Sequence, residues 1–334
     1  MTRTMTAALL GTAALFLAAC SDINRTSLMR VPRADSAQLH ARAEALAGHA
    51  VEVYAHKIAA CDAYPHDVMK RLPSQPIPAA DLLVVPDLGP LDGVELDLHV
   101  APDGSVYVGH EPWDFSKVRQ VLSDEGIDPE RFIQRDGMAE SITSYFSKHT
   151  GGHLFLELKA GKSNQAGVTE EDRRLAEAVL KQLDSLKQGL TLEPLKRITF
   201  VSFRTGALQA LHDAAAATHP EVGYALILGT DKTLLLLFSD LPDTGDQLAW
   251  LSKPESRFIG SVWFSLETLG SPEQVLQKTR AAGVERLVSD AYLEAPDDLK
   301  KGLAQLAGKG ITIEGLVFDA VANPANTGGN RCPP

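Results

Sequence analysis

Cysteine is scarce, with three residues in 334, too few for a disulfide framework. Basic residues are outnumbered: 32 Lys and Arg stand against 43 Asp and Glu, a formal net charge of −11. A protein that grips a nucleic-acid backbone concentrates Lys and Arg on one face, so no nucleic-acid partner is expected. A small phosphate-bearing molecule is not excluded, because one metal ion outweighs net charge locally. No Gly-x-Gly-x-x-Gly or Walker-type loop supports a nucleotide fold, and no internal repeat is visible. What is present is ordinary globular composition, 44% hydrophobic and 22% charged, which excludes disorder, a collagen-like chain and a multi-span membrane protein. The length suits one large domain or two ordinary ones.

The N-terminus reads as a targeting segment. Arg3 supplies a basic start, and 7–19 is an unbroken run of Ala, Leu, Gly, Thr and Phe, shorter than the roughly 20 residues that span a bilayer. It ends Leu17-Ala18-Ala19-Cys20, which resembles the lipobox of bacterial lipoproteins. That resemblance implies lipidation of Cys20, cleavage just before it and a membrane anchor in the cell envelope, at the outer membrane facing the periplasm where the cell has one. The expected organisation is a signal peptide over 1–19, a tether over 20–35 and a single barrel domain over 36–334. Cys61 and Cys332 are either one bridge or two unrelated thiols.

From residue 36 onward, strand-like and helix-like patterns alternate. The spacing of Leu39, Ala43 and Leu46 predicts a helix over 36–47 that stops at Gly48. Strand patterns fall at 51–55, 93–100, 106–109, 154–159, 198–203, 222–228, 258–264, 286–289 and 311–318, with a weaker one at 234–238. Pro102-Asp103-Gly104 is a turn signal. Helices are expected over 169–187, where Thr169 and Asp172 stand at capping-box spacing, and after Ser271-Pro272-Glu273-Gln274, a second capping box. Further helices are expected over 206–217 and 297–306. Such alternation means βα units and a parallel sheet. About nine strands compete for the eight places of a (β/α)8 TIM-type barrel; a doubly wound open sheet is the alternative.

Chemistry-bearing residues gather in and beside apolar strands. In Gly93-Val94-Glu95-Leu96-Asp97-Leu98, Glu95 and Asp97 project to one face, since side chains two apart on a strand share a side. On a buried strand two such carboxylates would repel and be poorly solvated, and a hard divalent cation removes both problems. A solvent-facing edge is the other reading of this pair. In Leu154-Phe155-Leu156-Glu157-Leu158-Lys159, Glu157 can complete a three-carboxylate oxygen site and Lys159 can meet an anionic substrate oxygen; a surface Glu–Lys strand pair is the other reading. His56 ends the first strand of the domain, and His110 follows the hairpin; strand C-termini are where parallel α/β folds build sites.

The order His, Glu-x-Asp, His, Glu-x-Lys resembles the glycerophosphodiester phosphodiesterase family, part of a wider group of barrel phosphodiesterases. Asp97-Leu98 stands at its Asp-Val, Asp103-Gly104 at its Asp-Gly, His110-Glu111 at its His-Asp, Ser202-Phe203 at its Ser-Phe, Ser261-Val262-Trp263 at its Val-x-Trp, and 283–290 at its last strand motif. Lys57-Ile58 replaces Arg-Gly, the Pro-Glu-Asn-Thr segment is absent, and the strand at 311–318 is extra to the family pattern. The resemblance implies a (β/α)8 barrel and metal-dependent hydrolysis of a glycerophosphodiester or lipid-derived phosphodiester. His56 and His110 would be the acid–base pair. Glu95, Asp97 and Glu157 would hold one Mg²⁺ or Ca²⁺, with Lys159, Lys57 and Trp263 beside the substrate. The competing reading is a non-catalytic surface lipoprotein on the same scaffold, binding a phosphorylated ligand or a protein.

Overall fold

The computed structural model describes residues 36–59, 91–100, 104–108, 120, 123–124, 142–143, 146, 151–160, 166–231, 241–291 and 296–321. Cys20, Cys61, Cys332, the side chain of Lys57, His110 and the strand pattern at 234–238 lie outside the described residues. Helix α1 (Ser36–Ala47) leads into β1 (Glu52–Ala59), β2 (Gly93–Val100), β3 (Val106–Val108) and β4 (His153–Leu158). Helices α2 (Glu170–Gly189) and α3 (Leu192–Leu195) precede β5 (Ile198–Ser202); α4 (Thr205–Ala215) precedes β6 (Gly223–Ile227). Helix α5 (Thr244–Leu251) leads to β7 (Ser261–Phe264), α6 (Pro272–Ala281) to β8 (Arg286–Asp290), and α7 (Pro296–Ala307) to β9 (Gly315–Val321).

Eight of these strands pair in parallel in the order β1-β2-β4-β5-β6-β7-β8-β9, and β9 pairs back onto β1. The sheet is therefore a closed (β/α)8 barrel, and the open doubly wound alternative is excluded. The strand that looked extra, at 311–318, is the closing one: Val53 pairs with Leu316 and Ala55 with Phe318. The strand outside the barrel is β3. It runs antiparallel to β2 at Leu98–Val100, beyond the Gly93–Glu95 stretch that pairs with β1. Gly104, at φ +83° in the intervening turn, takes a backbone conformation that a residue with a Cβ rarely adopts.

Alternation along the strands separates two apolar layers. Outward residues such as Val53, Leu96, Leu98, Leu154, Leu156 and Phe200 pack with the helices. Helix α2 contributes Leu175, Val179, Leu183 and Leu186 to that layer from one buried face, the stripe of a helix laid on a sheet. Inward residues form a second cluster, Tyr54, Phe155, Val201, Ala225, Ile227, Trp263, Val288 and Val317. Tyr54 and Trp263 stack at 6.0 Å, and Phe155 meets both edge-on at 4.7 and 4.9 Å. These three rings, from β1, β4 and β7, fill the middle of the barrel. Gly315 makes room for them: a Cβ there would lie 2.7 Å from the Tyr54 ring.

Two local expectations change. The capping box at Thr169 forms in both directions. Ser271 caps α6 without a side-chain bond, because its backbone, at φ −143° and ψ 72°, lies outside the extended geometry that aims a cap hydroxyl at the first turn. The strand expected at 258–264 starts only at Ser261. Phe258 stacks on His212 at 3.9 Å and meets Tyr224 edge-on, so it belongs to the outer layer. Among the described residues no helix is long and apolar enough to cross a membrane.

Candidate functional site

The sheet register places the site. Glu95 lies opposite Phe155, and Asp97 opposite Glu157, on neighbouring parallel strands. Glu95 therefore rises from the level of the aromatic layer, with Asp97 and Glu157 one step nearer the strand C-termini. Val94, Leu96, Leu98, Leu154, Leu156 and Leu158 point outward into the helix-facing core, which forces the acidic residues inward. All three are buried, at 1%, 3% and 5% exposure, so the solvent-facing reading of the Glu95–Asp97 pair is wrong. One carboxylate oxygen from each comes within 4.8 Å of the other two.

Lys159 closes the group from the end of β4. Its Nζ lies 2.6 Å from Glu157 Oε1 and 3.1 Å from Asp97 Oδ1. Burial alone pushes a lysine toward its neutral form, but the Glu157 and Asp97 carboxylates outweigh it and hold the ammonium above its ordinary range. His56 approaches from β1, with Nε2 3.7 Å from Glu95 Oε2 and the side chain 11% exposed. Five of the expected site residues, His56, Glu95, Asp97, Glu157 and Lys159, thus meet at one end of the barrel. Trp263 lies lower, 2% exposed, in the aromatic layer beneath them, with its Nε1 buried and without a hydrogen-bond partner among the described residues.

The donor set suits a hard cation. Among the described residues the cluster consists of three carboxylates, and oxygen ligation of this kind favours Mg²⁺ or Ca²⁺ over zinc. Burial points the same way, since carboxylates drawn together out of water are stabilised by a cation between them.

Other buried polar residues lie at this end: Ser202 and Asp290 fall within the family-like motifs of the sequence, and His99 does not. His99, 8% exposed, is two beyond Asp97 and shares its strand face. Asp290, 6% exposed, is two beyond the inward Val288. Ser202, 1% exposed, donates its hydroxyl to the Leu158 carbonyl at 3.0 Å. The first two are legible from alternation alone; the third depends on which strand neighbours β4.

No family model and no curated protein matches the sequence. Among solved structures, the chain is similar to the glycerophosphoryl diester phosphodiesterase domain of an uncharacterized Mycobacterium tuberculosis protein, at 15% identity and a TM-score of 0.39, over 81% of this chain and 96% of that one. It is also similar to the carboxyl transferase domain of Rhizobium etli pyruvate carboxylase with pyruvate, at 11% identity and a TM-score of 0.42, over 80% of this chain and 39% of that one. Similarity this low transfers no activity.

Proposed function

We propose that this protein is a phosphodiesterase that uses one divalent cation, Mg²⁺ or Ca²⁺, to hydrolyse a glycerophosphodiester or a phospholipid-derived diester. The observation that carries the reading is the meeting of Glu95, Asp97 and Glu157 within 4.8 Å, buried, at one end of a parallel barrel. The motif order of the sequence supports it independently. Glu95, Asp97 and Glu157 would hold the cation, which supplies Lewis-acid stabilisation of the charge that builds on the non-bridging phosphate oxygens. Lys159 presents an ammonium to the same oxygens. His56, next to Glu95, would accept or return a proton at its ring nitrogen, and His110 would take the opposite role by the motif order. The aromatic layer of Tyr54, Phe155 and Trp263 closes the barrel below and keeps water from reaching the carboxylates from that side. Attack by water would give an alcohol and a phosphomonoester; attack by a hydroxyl of the substrate itself would give an alcohol and a cyclic phosphate.

The test is divalent-dependent turnover of bis(p-nitrophenyl) phosphate and of glycerophosphodiesters, paired with calorimetry. Glu157→Ala and Asp97→Ala should lose Mg²⁺ or Ca²⁺ binding and turnover together. His56→Ala should keep metal binding and lose turnover by about 10²–10⁴-fold. Unchanged cation affinity in both carboxylate variants removes those residues from the site. A wild-type protein that binds metal and cleaves no diester is a binder on this scaffold.

We further propose that Cys20 carries a lipid anchor, on the strength of Leu17-Ala18-Ala19-Cys20. Cys20→Ser should release soluble protein or leave precursor, while wild type partitions into detergent. An intact mass of mature protein with unmodified Cys20 would sink this reading.

A further inference from the structure

Lys159 and Glu157 flank Leu158, and the peptide group that joins Leu158 to Lys159 is held from both sides. The Lys159 N–H donates to the Leu98 carbonyl of β2 at 3.0 Å. The Leu158 carbonyl of the same peptide unit accepts the Ser202 hydroxyl of β5 at 3.0 Å. The register between β4 and β5 ends at Glu157 and Val201, so the Ser202 side chain extends the attachment one residue past the paired backbone. That hydroxyl also accepts the Arg204 N–H at 3.1 Å.

Arg204 ties down the far end of the same connection. Its guanidinium is 2% exposed and pairs with Asp172, 1% exposed, through Nε to Oδ1 at 2.9 Å and a second contact from the other fork nitrogen. Asp172 in turn accepts the Thr169 N–H at 2.7 Å at the start of α2. Gly167 lies so close to Gly206 that a Cβ on Gly206 would come 2.0 Å from the Gly167 carbonyl. Ser202 and Arg204, two positions apart, therefore bond to residues on both sides of the stretch that leaves β4 through Lys159.

We propose that Ser202, backed by the Arg204–Asp172 pair, is a positioning residue that sets the direction in which Glu157 and Lys159 present their charged groups. This rests on the reading of Glu157 and Lys159 as site residues. Ser202 touches no reacting atom; it acts through the Leu158–Lys159 peptide. The Leu158–Lys159 peptide carries the Lys159 side chain directly and is joined to Glu157 through Leu158, so a rotation of that peptide shifts the ammonium and, through Leu158, the carboxylate; supporting bonds of this kind are worth about 10–100-fold in metal affinity or activity.

The experiment uses the full chain and four variants. Ser202→Ala should bind Mg²⁺ or Ca²⁺ about 10–100-fold more weakly by calorimetry and lower kcat on bis(p-nitrophenyl) phosphate by a similar factor, with KM little changed. Its Lys159 amide should exchange with solvent faster. Ser202→Thr, which keeps the hydroxyl, should recover most of both losses. Arg204→Lys keeps the charge opposite Asp172 without the fork, and should move the same readouts by a smaller factor; it also serves if Ser202→Ala does not fold. Ser256→Ala removes another buried hydroxyl, bonded to the Leu251 carbonyl at 2.7 Å; it should cost stability while leaving affinity and kcat unchanged. Wild-type affinity and kcat in Ser202→Ala, or an equal loss in Ser256→Ala, overturns the proposal. A wild type with neither cation affinity nor diesterase turnover overturns the reading of the site instead. The positioning of the Leu158–Lys159 peptide is then decided by amide exchange, where an unchanged Lys159 rate in Ser202→Ala refutes it.

Discussion

Lys159 is the residue on which the electrostatics of the site turn. Its ammonium lies against Glu157 and Asp97, whose side chains are 6% and 3% exposed. Lys159→Met removes the nearest positive charge from three buried carboxylates, and breaking a buried pair from one side costs about 3–5 kcal/mol. The lower end, about 3 kcal/mol, is expected because one-fifth of the Lys159 side chain, 21%, reaches solvent. Chemical denaturation reads this directly, and Ca²⁺ or Mg²⁺ should restore part of the loss. The pH dependence has a definite sign. A lysine raised by its carboxylate partners contributes stability that is fully present below the unfolded value of about 10.4 and is lost as pH rises through the folded one. The gap between wild type and Lys159→Met should therefore be constant near neutrality and narrow only above about pH 10. The acidic residues themselves were legible in the sequence, because Glu95, Asp97 and Glu157 each break an otherwise apolar strand at alternate positions.

At the scale of elements, the two helix starts that look alike in sequence differ in the fold. Thr169 accepts the Asp172 N–H, and Asp172 returns a bond to the Thr169 N–H, so the cap of α2 is reciprocal. Ser271 makes no such bond at α6. Thr169→Ala should cost about 1 kcal/mol or more, whereas Ser271→Ala should stay within about 0.5 kcal/mol of wild type, as surface changes away from such contacts do. Thermal melts of the two variants compare them under one condition, and equal losses would contradict the cap assignment. Helix α1 ends where Gly48 predicts, with φ +79° just after Ala47, because a left-handed residue after the last turn is a local matter. The 258–264 pattern misleads for the opposite reason. Phe258 is apolar because it meets His212, Tyr224 and Trp250, and no window of sequence contains those partners.

At the scale of the whole molecule, closure depends on β9. It pairs with β8 through Val288, Ser289 and Asp290 and with β1 from Glu52 onward. A chain ending at Gly310 would leave β1 and β8 as open edges and uncover Tyr54 and Val288, which Val317 packs against. Such a chain should lose its cooperative thermal transition and bind a hydrophobic dye, since unpaired edges and exposed apolar surface invite aggregation; a sharp melt like that of the full chain would contradict this role. The opposite end of the barrel has its own polar closure, where the Tyr54 hydroxyl meets both Glu52 and Arg286. Burial holds that phenol above its ordinary pKa range, so the hydroxyl stays a neutral partner between the two charges.

The sequence by itself determined the parallel α/β class, which side chains of β2 and β4 share a face, and the residue types of a candidate oxygen-donor cluster. Each of these is a local property: hydropathy period decides helix or strand, and alternation decides which side chains share a face. Only the tertiary structure decided that the sheet closes, that 315–321 rather than the β3 hairpin strand takes the eighth place, and that Ser202 lies beside the Leu158 carbonyl. Strand pairing joins residues tens to hundreds of positions apart, as Val53 with Leu316 does. Its register is set by which apolar faces can be buried together, a condition that involves the whole chain at once.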